Sequence, residues 1–403
     1  MRTALIIIVL MSVPLIAFGC DRPTPPATTA APTPAAPATP AAPSATAAPG
    51  PDESLLARCR AAADYSRQHD GEVVLVLLDG KPIFQDLRPG FTTASPHLLA
   101  SGTKSFSGFA AALAMDDGLI TLDERVSDTI HEWKADPRKS TITLRQLLSL
   151  SGGLDPLSTS IDNPRHARAA GITNRATASI QATLRADPGD RFIYGPSSFY
   201  VFGEFMKRKL AAAGTGDADV VAYLQRRAFT PLGIEPRFLR DEAGNANLPG
   251  GCRVSATGWA TFGEMVRNGG MHQGKRLVSE ASRAELLTPH GPNTSYGLTW
   301  WLLRDGEHGA DPETALAQDI AADRLQEQGG AIRERLSARL RDRAAESRQA
   351  SAVGEPVGVM AAGKGKQRLY VLPGARMTVV RFGPLEGSRA YRDQEFLRIL
   401  LGR

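Results

Sequence analysis

The residues best suited to chemistry in this 403-residue chain are Ser101 and Lys104, in the stretch HLLASGTKSFSGFAAALAMDDG. The stretch indicates the start of a helix, where side chains at positions i and i+3 share a face, so the amine can reach the hydroxyl. A serine hydroxyl is a weak nucleophile until a neighbouring base accepts its proton. Burial of an amine among apolar neighbours favours the neutral form that can accept it. We therefore expect Ser101 to be a nucleophile and Lys104 its base.

A structural interpretation also fits these residues, namely a serine that caps a helix and a lysine in solvent. The stretch is, however, the only Ser-x-x-Lys in the chain. The apolar residues after it, Phe106, Phe109, Ala110 and Leu113, predict a buried helix, in which an unpaired lysine would be costly. We therefore favour chemistry, and the helix start would add N–H groups and positive charge that suit an oxyanion.

The N-terminal segment is not expected to belong to the folded core. Residues 1–20 have one Arg, an apolar run and small residues before Cys20, which is typical of a secretory signal. The ending AFGC resembles a bacterial lipobox, in which Cys20 is acylated, although an ordinary signal peptide with an incidental cysteine also fits. Residues 21–51 are almost wholly Pro, Ala and Thr, which predicts a disordered tether before a domain at 52–403. We expect a lipoprotein anchored in the cell envelope, on the periplasmic face. Asp21, directly after the cysteine, resembles the inner-membrane retention signal of enteric-type lipoproteins and so favours the inner membrane.

The cysteine content and the charge do not indicate a metalloprotein or a nucleic-acid-binding protein. Once Cys20 is set aside, Cys59 and Cys252 could form one disulfide or remain as two buried thiols. No Cys/His cluster has metal-ligand spacing, so neither a metal nor another cofactor is expected. The formal net charge of +5 comes from interspersed acidic and basic residues, which does not indicate a nucleic-acid partner.

Strand patterns near both ends of the folded region predict a single antiparallel sheet. Glu72–Leu78 and Pro82–Asp86 flank Asp79-Gly80, which is a strong hairpin signal. Gln367–Pro373 and Met377–Phe382 repeat this pattern ahead of an amphipathic C-terminal helix. Strands at both ends with helical sequence between them favour an α+β fold, in which helices cover an antiparallel sheet.

The remaining segments are predicted to be helical. Residues 53–68 form an amphipathic helix, and residues 104–245 are mostly helices and loops that could make a second lobe. Residues 306–353 are charged, Ala-rich and helical in period, which predicts an insertion of two solvated helices. This insertion is either a surface decoration or a lid over a pocket.

Several stretches together resemble the serine β-lactamase-like superfamily. They are ASGTKSF, DDGLITLDERVSD, ITLRQLLSLSGGL, DPGDRFIYGPSSFYVFGE and YGLTWWL, and the resemblance runs from about residue 65 to 395. It looks closest to the branch of class C β-lactamases, D-Ala-D-Ala carboxypeptidases and esterase-like hydrolases. The resemblance implies an antiparallel sheet sandwiched by helices and an all-helical lobe, with the site between them.

The resemblance also implies a role for each matching residue. Ser101 matches the acyl-accepting nucleophile and Lys104 its base, and Tyr194 matches the tyrosine of the family's Tyr-x-Asn motif. A tyrosine there could pass a proton between Ser101 and the leaving group, although a purely structural tyrosine is the alternative. The third motif, Lys-Thr-Gly or His-x-Gly on a strand, falls at Ala361-Ala362-Gly363. Gly363 keeps the close backbone approach, and the N–H of Lys364 would be the second oxyanion donor.

Two departures from the family pattern bear on the substrate. Pro196 stands in place of the motif's Asn, and Ala361 in place of a cation or imidazole, although Lys364 or Lys366 could supply charge from a shifted position. A β-lactam or a D-Ala-D-Ala peptide carries a carboxylate that needs a cation and hydrogen-bond donors. We therefore expect weaker binding of such substrates than of a simple ester.

Two further His-x-Gly strings and three aromatic residues could also be related to the site. Two His-x-Gly strings, at residues 69–71 and 272–274, lie in turn-like sequence away from the third-motif strand, and we interpret both as coincidence. Tyr296, Trp300 and Trp301 could line the cleft or belong to the core.

The sequence therefore predicts a membrane-tethered serine hydrolase that forms an acyl-enzyme on Ser101 and acts on a small or cell-wall-derived ester or amide. A weak β-lactamase or D-amino-acid peptidase is the alternative among enzymes. A non-catalytic binding protein on the same fold is the alternative from another class. Retention of Ser101, Lys104 and Tyr194 favours catalysis, whereas the missing third-motif cation favours binding alone.

Lipidation at Cys20 can be tested with the full-length chain. We expect the wild type to incorporate a radiolabelled fatty acid and Cys20→Ser to lose that label, because the thiol that would carry the acyl chain is gone. Autoradiography of the immunoprecipitated protein, with Cys59→Ser as the matched control, measures this. Equal labelling of Cys20→Ser and the wild type would exclude acylation at Cys20.

Overall fold

The structure is a computed structural model. The residues that it describes are 52–161, 164–304, 357–388 and 390–403. The predicted signal peptide with Cys20, the predicted tether 21–51 and the predicted insertion 306–353 lie outside them. Within these described ranges, no helix is both long and apolar enough to cross a membrane.

A six-stranded antiparallel sheet is built from both ends of the folded region, as the sequence predicted. The strands of the described residues are β1 Val73–Leu78, β2 Lys81–Leu87, β3 His97–Leu98, β4 Arg237–Phe238, β5 Cys252–Val254, β6 Met271–His272, β7 Lys275–Arg276, β8 Trp301–Leu303, β9 Gly358–Gly363, β10 Gln367–Leu372 and β11 Met377–Phe382. The large sheet has the order β2-β1-β11-β10-β9-β8, with Val73 opposite Phe382. Pro82 is in β2, an edge strand, where its missing N–H is tolerated.

Helices cover both faces of this sheet, which confirms the predicted α+β class. The helices of the described residues are α1 Glu53–Gln68, α2 Ser105–Asp116, α3 Leu144–Leu148, α4 Ser158–Ile161, α5 Pro164–Ala169, α6 Arg175–Gln181, α7 Ser197–Ala212, α8 Val220–Leu224, α9 Thr230–Leu232, α10 Ala256–Arg267, α11 Glu280–Leu286 and α12 Asp393–Leu401. Helices α1 and α12 pack on each other, and α10 packs on β1, β10 and β11. Strands β9, β10 and β11 are buried throughout because both of their faces are covered.

Helix α2, which follows Lys104, is enclosed by the rest of the fold. All of its residues from Ser105 to Ala114 are buried. Gly108 is required there, since a Cβ would overlap the Leu298 carbonyl oxygen and the Thr299 side chain. The sequence prediction of a buried helix after Lys104 is therefore confirmed.

Cys59 and Cys252 are two buried free thiols, which is one of the two arrangements the sequence left open. Burial raises the pKa of the Cys59 thiol to about 11, even though Arg58 and Arg60 act in the opposite direction. Burial also raises the pKa of Cys252. Neither thiol is therefore activated as a nucleophile.

The C-terminal end of α2 is fixed by two consecutive carboxylates. Asp116 accepts hydrogen bonds from Ser279 and Ser282, at 2.6 Å from each hydroxyl. Asp117 accepts from Tyr223 Oη at 2.7 Å and from two nitrogens of Arg227 at 2.7 and 2.8 Å. Burial alone would raise the pKa of Asp117, but the hydrogen bonds from Arg227 and Tyr223 outweigh it and lower that pKa.

This carboxylate should make the stability of the fold dependent on acid pH. An Asp whose folded pKa lies below the unfolded value of about 3.9 stabilises the fold above that pH, and the contribution is lost as pH falls through the folded pKa. We expect Asp117→Asn to cost about 1 kcal/mol at pH 7, and less below about pH 3. Urea unfolding at both pH values measures this.

Asp64→Asn is the control for that measurement, because Asp64 forms only an exposed pair with Arg67. Its effect should stay within about 0.5 kcal/mol at pH 7. A destabilisation of Asp117→Asn that stayed constant between the two pH values would refute the role of the ionised carboxylate.

Candidate active site

Ser101 lies in a 3-10 turn, Ala100–Lys104, that leads directly into α2. The sequence predicted the start of a helix at this place, and the structure shows that its first turn is a 3-10 turn. Side chains at i and i+3 of a 3-10 helix eclipse one another, so Lys104 lies directly over Ser101. Ala100 has a positive φ of 46°, and its carbonyl accepts a hydrogen bond from Thr103 Oγ1 at 2.7 Å. The nucleophile turn, as we call Ala100–Lys104, is thus held by its own side chains.

The Lys104 amine is buried against the serine hydroxyl. Its Nζ lies 3.0 Å from Ser101 Oγ and donates to the carbonyl oxygen of Pro249 at 2.7 Å. The residue is 4% exposed, and Nζ is 4.9 Å from the ring centroid of Tyr194 and 5.2 Å from that of Phe199. No carboxylate of the described residues lies within ion-pair distance of this amine. An amine held in this way can accept the Ser101 proton when it is uncharged.

The segment that contains Pro249, the second partner of the Lys104 amine, was not predicted from the sequence to belong to the site. Residues 247–251 read NLPGG, and the amide N–H of Gly250 donates to Asn247 Oδ1 at 3.1 Å. The chain then enters β5, where the N–H of Cys252 donates to Thr103 Oγ1 at 3.1 Å. The Pro-Gly-Gly run is a turn signal, but nothing in it indicates that the Pro249 carbonyl meets a lysine.

Tyr194 belongs to an aromatic cluster beside this amine. Its ring centroid is 6.0 Å from that of Trp301 and 6.5 Å from that of Tyr296, and Tyr194 is 8% exposed. Trp301 and Tyr296 are buried, and burial raises the pKa of Tyr296, with a further contribution from Tyr194. Trp300 instead lies in the core, where its ring stacks on Phe262. All three residues are therefore buried in the core, which is one of the two arrangements the sequence left open, and two of them lie beside Tyr194.

The end of β9 presses against the nucleophile turn. A Cβ on Gly363 would overlap the carbonyl oxygen of Leu99 and would lie 3.0 Å from the Gly102 nitrogen. The next residue, Lys364, directs its amine to Glu386 at 2.6 Å, where both side chains are exposed. Ser101, Lys104, Tyr194 and Gly363 are thus close together, whereas the Lys364 amine is engaged elsewhere.

The third-motif positions carry no cationic side chain in this structure. Ala361 and Ala362 are buried in β9, and Lys366 is also buried. His272 lies in the β6–β7 hairpin and His69 follows α1, so neither string belongs to β9. Within the described part of the chain, no cluster of His, Cys, Asp or Glu has the arrangement of a metal site.

The arrangement of sheet and helices is that of β-lactamase-like and penicillin-binding-protein-like structures. A penicillin-binding protein homologue from Caulobacter crescentus superposes with a TM-score of 0.60 at 13% sequence identity, over 87% of this chain and 96% of that chain. At this identity the similarity establishes the fold and no more.

Sequence comparison establishes the family. A family model described as "Beta-lactamase" matches residues 55–380. A 6-aminohexanoate-dimer hydrolase of Paenarthrobacter ureafaciens is 25% identical over 57% of this chain and 64% of its own length. A monacolin J acid methylbutanoyltransferase of Aspergillus terreus is 31% identical over 36% of this chain and 38% of its own length. The chain spans less than two thirds of either relative. It belongs to the beta-lactamase family of serine hydrolase-like enzymes, as the sequence predicted.

The contact between β9 and the nucleophile turn predicts that a methyl group at position 363 would destabilise the fold. We expect Gly363→Ala to destabilise the protein by about 2 kcal/mol or more, because the new Cβ displaces backbone atoms. Gly374→Ala is the matched control, since a Cβ on that glycine meets nothing within 4 Å and its effect should stay within about 0.5 kcal/mol. Urea unfolding curves give both values, and equal values for the two variants would contradict the close approach.

Proposed function

We propose that this protein is a serine hydrolase that forms an acyl-enzyme on Ser101 and acts on carboxylic esters or amides. The observation that carries the proposal is the Lys104 amine, 3.0 Å from Ser101 Oγ and bonded on its other side to the Pro249 carbonyl. A lysine in solvent would need neither partner. A buried amine that contacts a serine hydroxyl is the arrangement that activates a nucleophile.

Acylation starts when Ser101 Oγ attacks the carbonyl carbon of the substrate and its proton passes to the uncharged Lys104 amine. The carbonyl oxygen becomes an oxyanion, and the N–H of Lys364, next to Gly363, is proposed to donate to it. Collapse of this intermediate breaks the bond to the leaving alcohol or amine. Tyr194, beside Lys104, relays a proton to that leaving group, which departs neutral.

Deacylation repeats these steps with water. Water attacks the acyl carbon and gives a proton to the same base. The bond between the acyl carbon and Ser101 Oγ then breaks, Oγ regains a proton, and the carboxylic acid is released. One ester or amide and one water thus give one acid and one alcohol or amine, and the enzyme returns to its starting state.

The substrate is proposed to carry no essential carboxylate beside the scissile bond. Pro196 has no side-chain amide, Ala361 and Ala362 bring no charge, and the amine of Lys364 pairs with Glu386. A carboxylate bound there would lose its hydration without gaining a cation. The two curated relatives are named as a hydrolase and as a transferase of an acyl group, which supports acyl chemistry at Ser101.

We also propose that the enzyme works in the cell envelope, on the periplasmic face. The support is the sequence of residues 1–51, with Cys20 as the acylated residue and the Pro/Ala/Thr-rich segment as the tether. A tether of this kind would let the enzyme reach small esters or cell-wall-derived amides near the membrane.

The nucleophile can be tested with a fluorophosphonate probe and p-nitrophenyl acetate. We expect the wild type to be labelled at Ser101 and to hydrolyse the ester, and Ser101→Ala to lose at least about 1,000-fold in kcat/KM. Ser107→Ala is the matched control, because this buried hydroxyl of α2 has no hydrogen-bond partner among the described residues. Mass spectrometry of the labelled protein locates the adduct. A folded wild type that is neither labelled nor active would overturn the proposal.

The base and the substrate class are tested in the same assay. Lys104→Met should lose about as much activity as Ser101→Ala, whereas Lys139→Met, which removes another buried amine bonded to a carbonyl, should keep it. A chromogenic cephalosporin is expected to react far more slowly than the ester. Faster turnover of the cephalosporin than of the ester would support a β-lactamase instead.

A further inference from the structure

We propose that Arg368 is a positioning residue for the oxyanion site, because it orients the Gly363–Lys364 peptide so that the Lys364 N–H points towards Ser101. Asp393, in turn, holds Arg368. This inference rests on the proposed function, and it assigns a task to a buried ion pair that lies outside the group of Ser101, Lys104 and Tyr194.

The contacts of Arg368 link α12 to the end of β9. Its Nη1 donates to the carbonyl oxygen of Gly363 at 2.9 Å and to that of Gln367 at 3.2 Å. Its Nε and Nη2 donate to the two carboxylate oxygens of Asp393 at 2.7 and 3.1 Å. Arg368 is 1% exposed, so water does not compete for these contacts.

Arg368 lies on the face of the sheet that α12 covers. Side chains along a strand alternate between faces, so Arg368 and Tyr370 share one face of β10 and Leu369 occupies the other. The ring of Tyr370 stacks on Phe396 of α12 at 5.6 Å, whereas a Cβ on Gly263 of α10 would lie 2.6 Å from Leu369 Cδ1. Arg368 therefore faces away from α10.

The nucleophile turn lies on the opposite face, next to α10. A Cβ on Gly102 would lie 2.9 Å from the indole of Trp259, which belongs to α10. The end of β9 therefore has the Ser101 turn on one side and the guanidinium of Arg368 on the other.

The geometry of the peptide bond between Gly363 and Lys364 relates the direction of the Gly363 carbonyl to that of the Lys364 N–H. In a trans peptide the C=O of one residue and the N–H of the next point in opposite directions, and cis peptide bonds are absent from the described residues. Arg368 holds the Gly363 carbonyl oxygen by a hydrogen bond, and we infer that the N–H of Lys364, on the other side of the same peptide, is directed to the nucleophile turn. A donor fixed before the reaction stabilises an oxyanion without reorganising.

The chemistry of the pair also favours this task over a purely stabilising one. A buried ion pair contributes little net stability compared with apolar residues of the same volume. A guanidinium, however, offers five donors in a fixed plane, so one side of it can bind a carboxylate while another binds a carbonyl. A lysine amine has one nitrogen and cannot span Asp393 and Gly363 with the same geometry.

The test compares wild type and Arg368→Lys with p-nitrophenyl acetate and with its thionoester analogue, in which sulfur replaces the carbonyl oxygen. We expect kcat for the ester to fall about 10- to 100-fold with KM within about twofold, which is less than loss of a whole oxyanion donor. The ester-to-thionoester rate ratio should also fall, because sulfur is a weak acceptor and gains little from the donor in the wild type.

Tyr370→Phe is the matched control, because it removes a buried hydroxyl that donates to Asp393 and leaves the contact between Arg368 and Gly363 in place. It should lower the unfolding midpoint in urea and leave the ester-to-thionoester ratio unchanged. Asp393→Asn is the second variant if Arg368→Lys does not fold, and it should lower both the ester-to-thionoester ratio and kcat for the ester, each by a smaller factor than Arg368→Lys.

The possible results separate the positioning role of Arg368 from the proposed hydrolase activity. A wild type that is labelled at Ser101 and active, with an Arg368→Lys variant that keeps both kcat and the ester-to-thionoester ratio, overturns the positioning role and leaves the hydrolase proposal intact. Equal changes of the ratio in Tyr370→Phe and Arg368→Lys also overturn it, since the network would then act through general stability. An inactive and unlabelled wild type overturns the proposed function itself.

Discussion

The hydrogen bonds of the Lys104 amine are the interaction on which the rest of this structure depends. A buried amine is costly unless its donors are satisfied, and here the hydroxyl of Ser101 and the carbonyl of Pro249 satisfy it. The ring centroids of Tyr194 and Phe199 lie 4.9 and 5.2 Å from the same nitrogen. Three segments, namely the nucleophile turn, the loop before β5 and the start of α7, must therefore meet at one nitrogen. Their convergence fixes the position of the amine beside Ser101.

The parts of the fold that follow from local pattern could be predicted from the sequence. The hairpin around Asp79-Gly80 and the buried helix after Lys104 each rest on the spacing of apolar residues within a short window. The Pro249 contact could not be predicted, because it joins residues 145 positions apart and involves a backbone carbonyl, which every residue has. The task proposed for Arg368 has one signal in the sequence, namely the only charged residue of β10, but its partner Asp393 on α12 depends on the fold.

Two buried arginines in this part of the molecule, Arg368 and Arg381, donate to backbone carbonyl oxygens. Arg381, which is also buried, donates to the carbonyl oxygens of Gly365 and Lys366 at 3.0 Å each. With Arg368 on Gly363, two guanidinium groups hold three carbonyl oxygens at the end of β9 and in the turn after it. The same region has alanines where a substrate carboxylate would need a cation. These contacts and the alanines of β9 agree with the proposal that the substrate carries no essential carboxylate.

The pairing of β1 with β11 has a consequence for how the chain acquires its structure. Val73 pairs with Phe382, so the sheet joins strands from opposite ends of the folded region. Contacts between distant segments form slowly, because a long loop must close before they contribute. Strand β9, which contacts the nucleophile turn, is one of the C-terminal strands of this sheet. The chain would therefore carry its Ser-x-x-Lys segment long before it could hold the hydroxyl against the amine, and catalytic competence would appear only as the last strands dock.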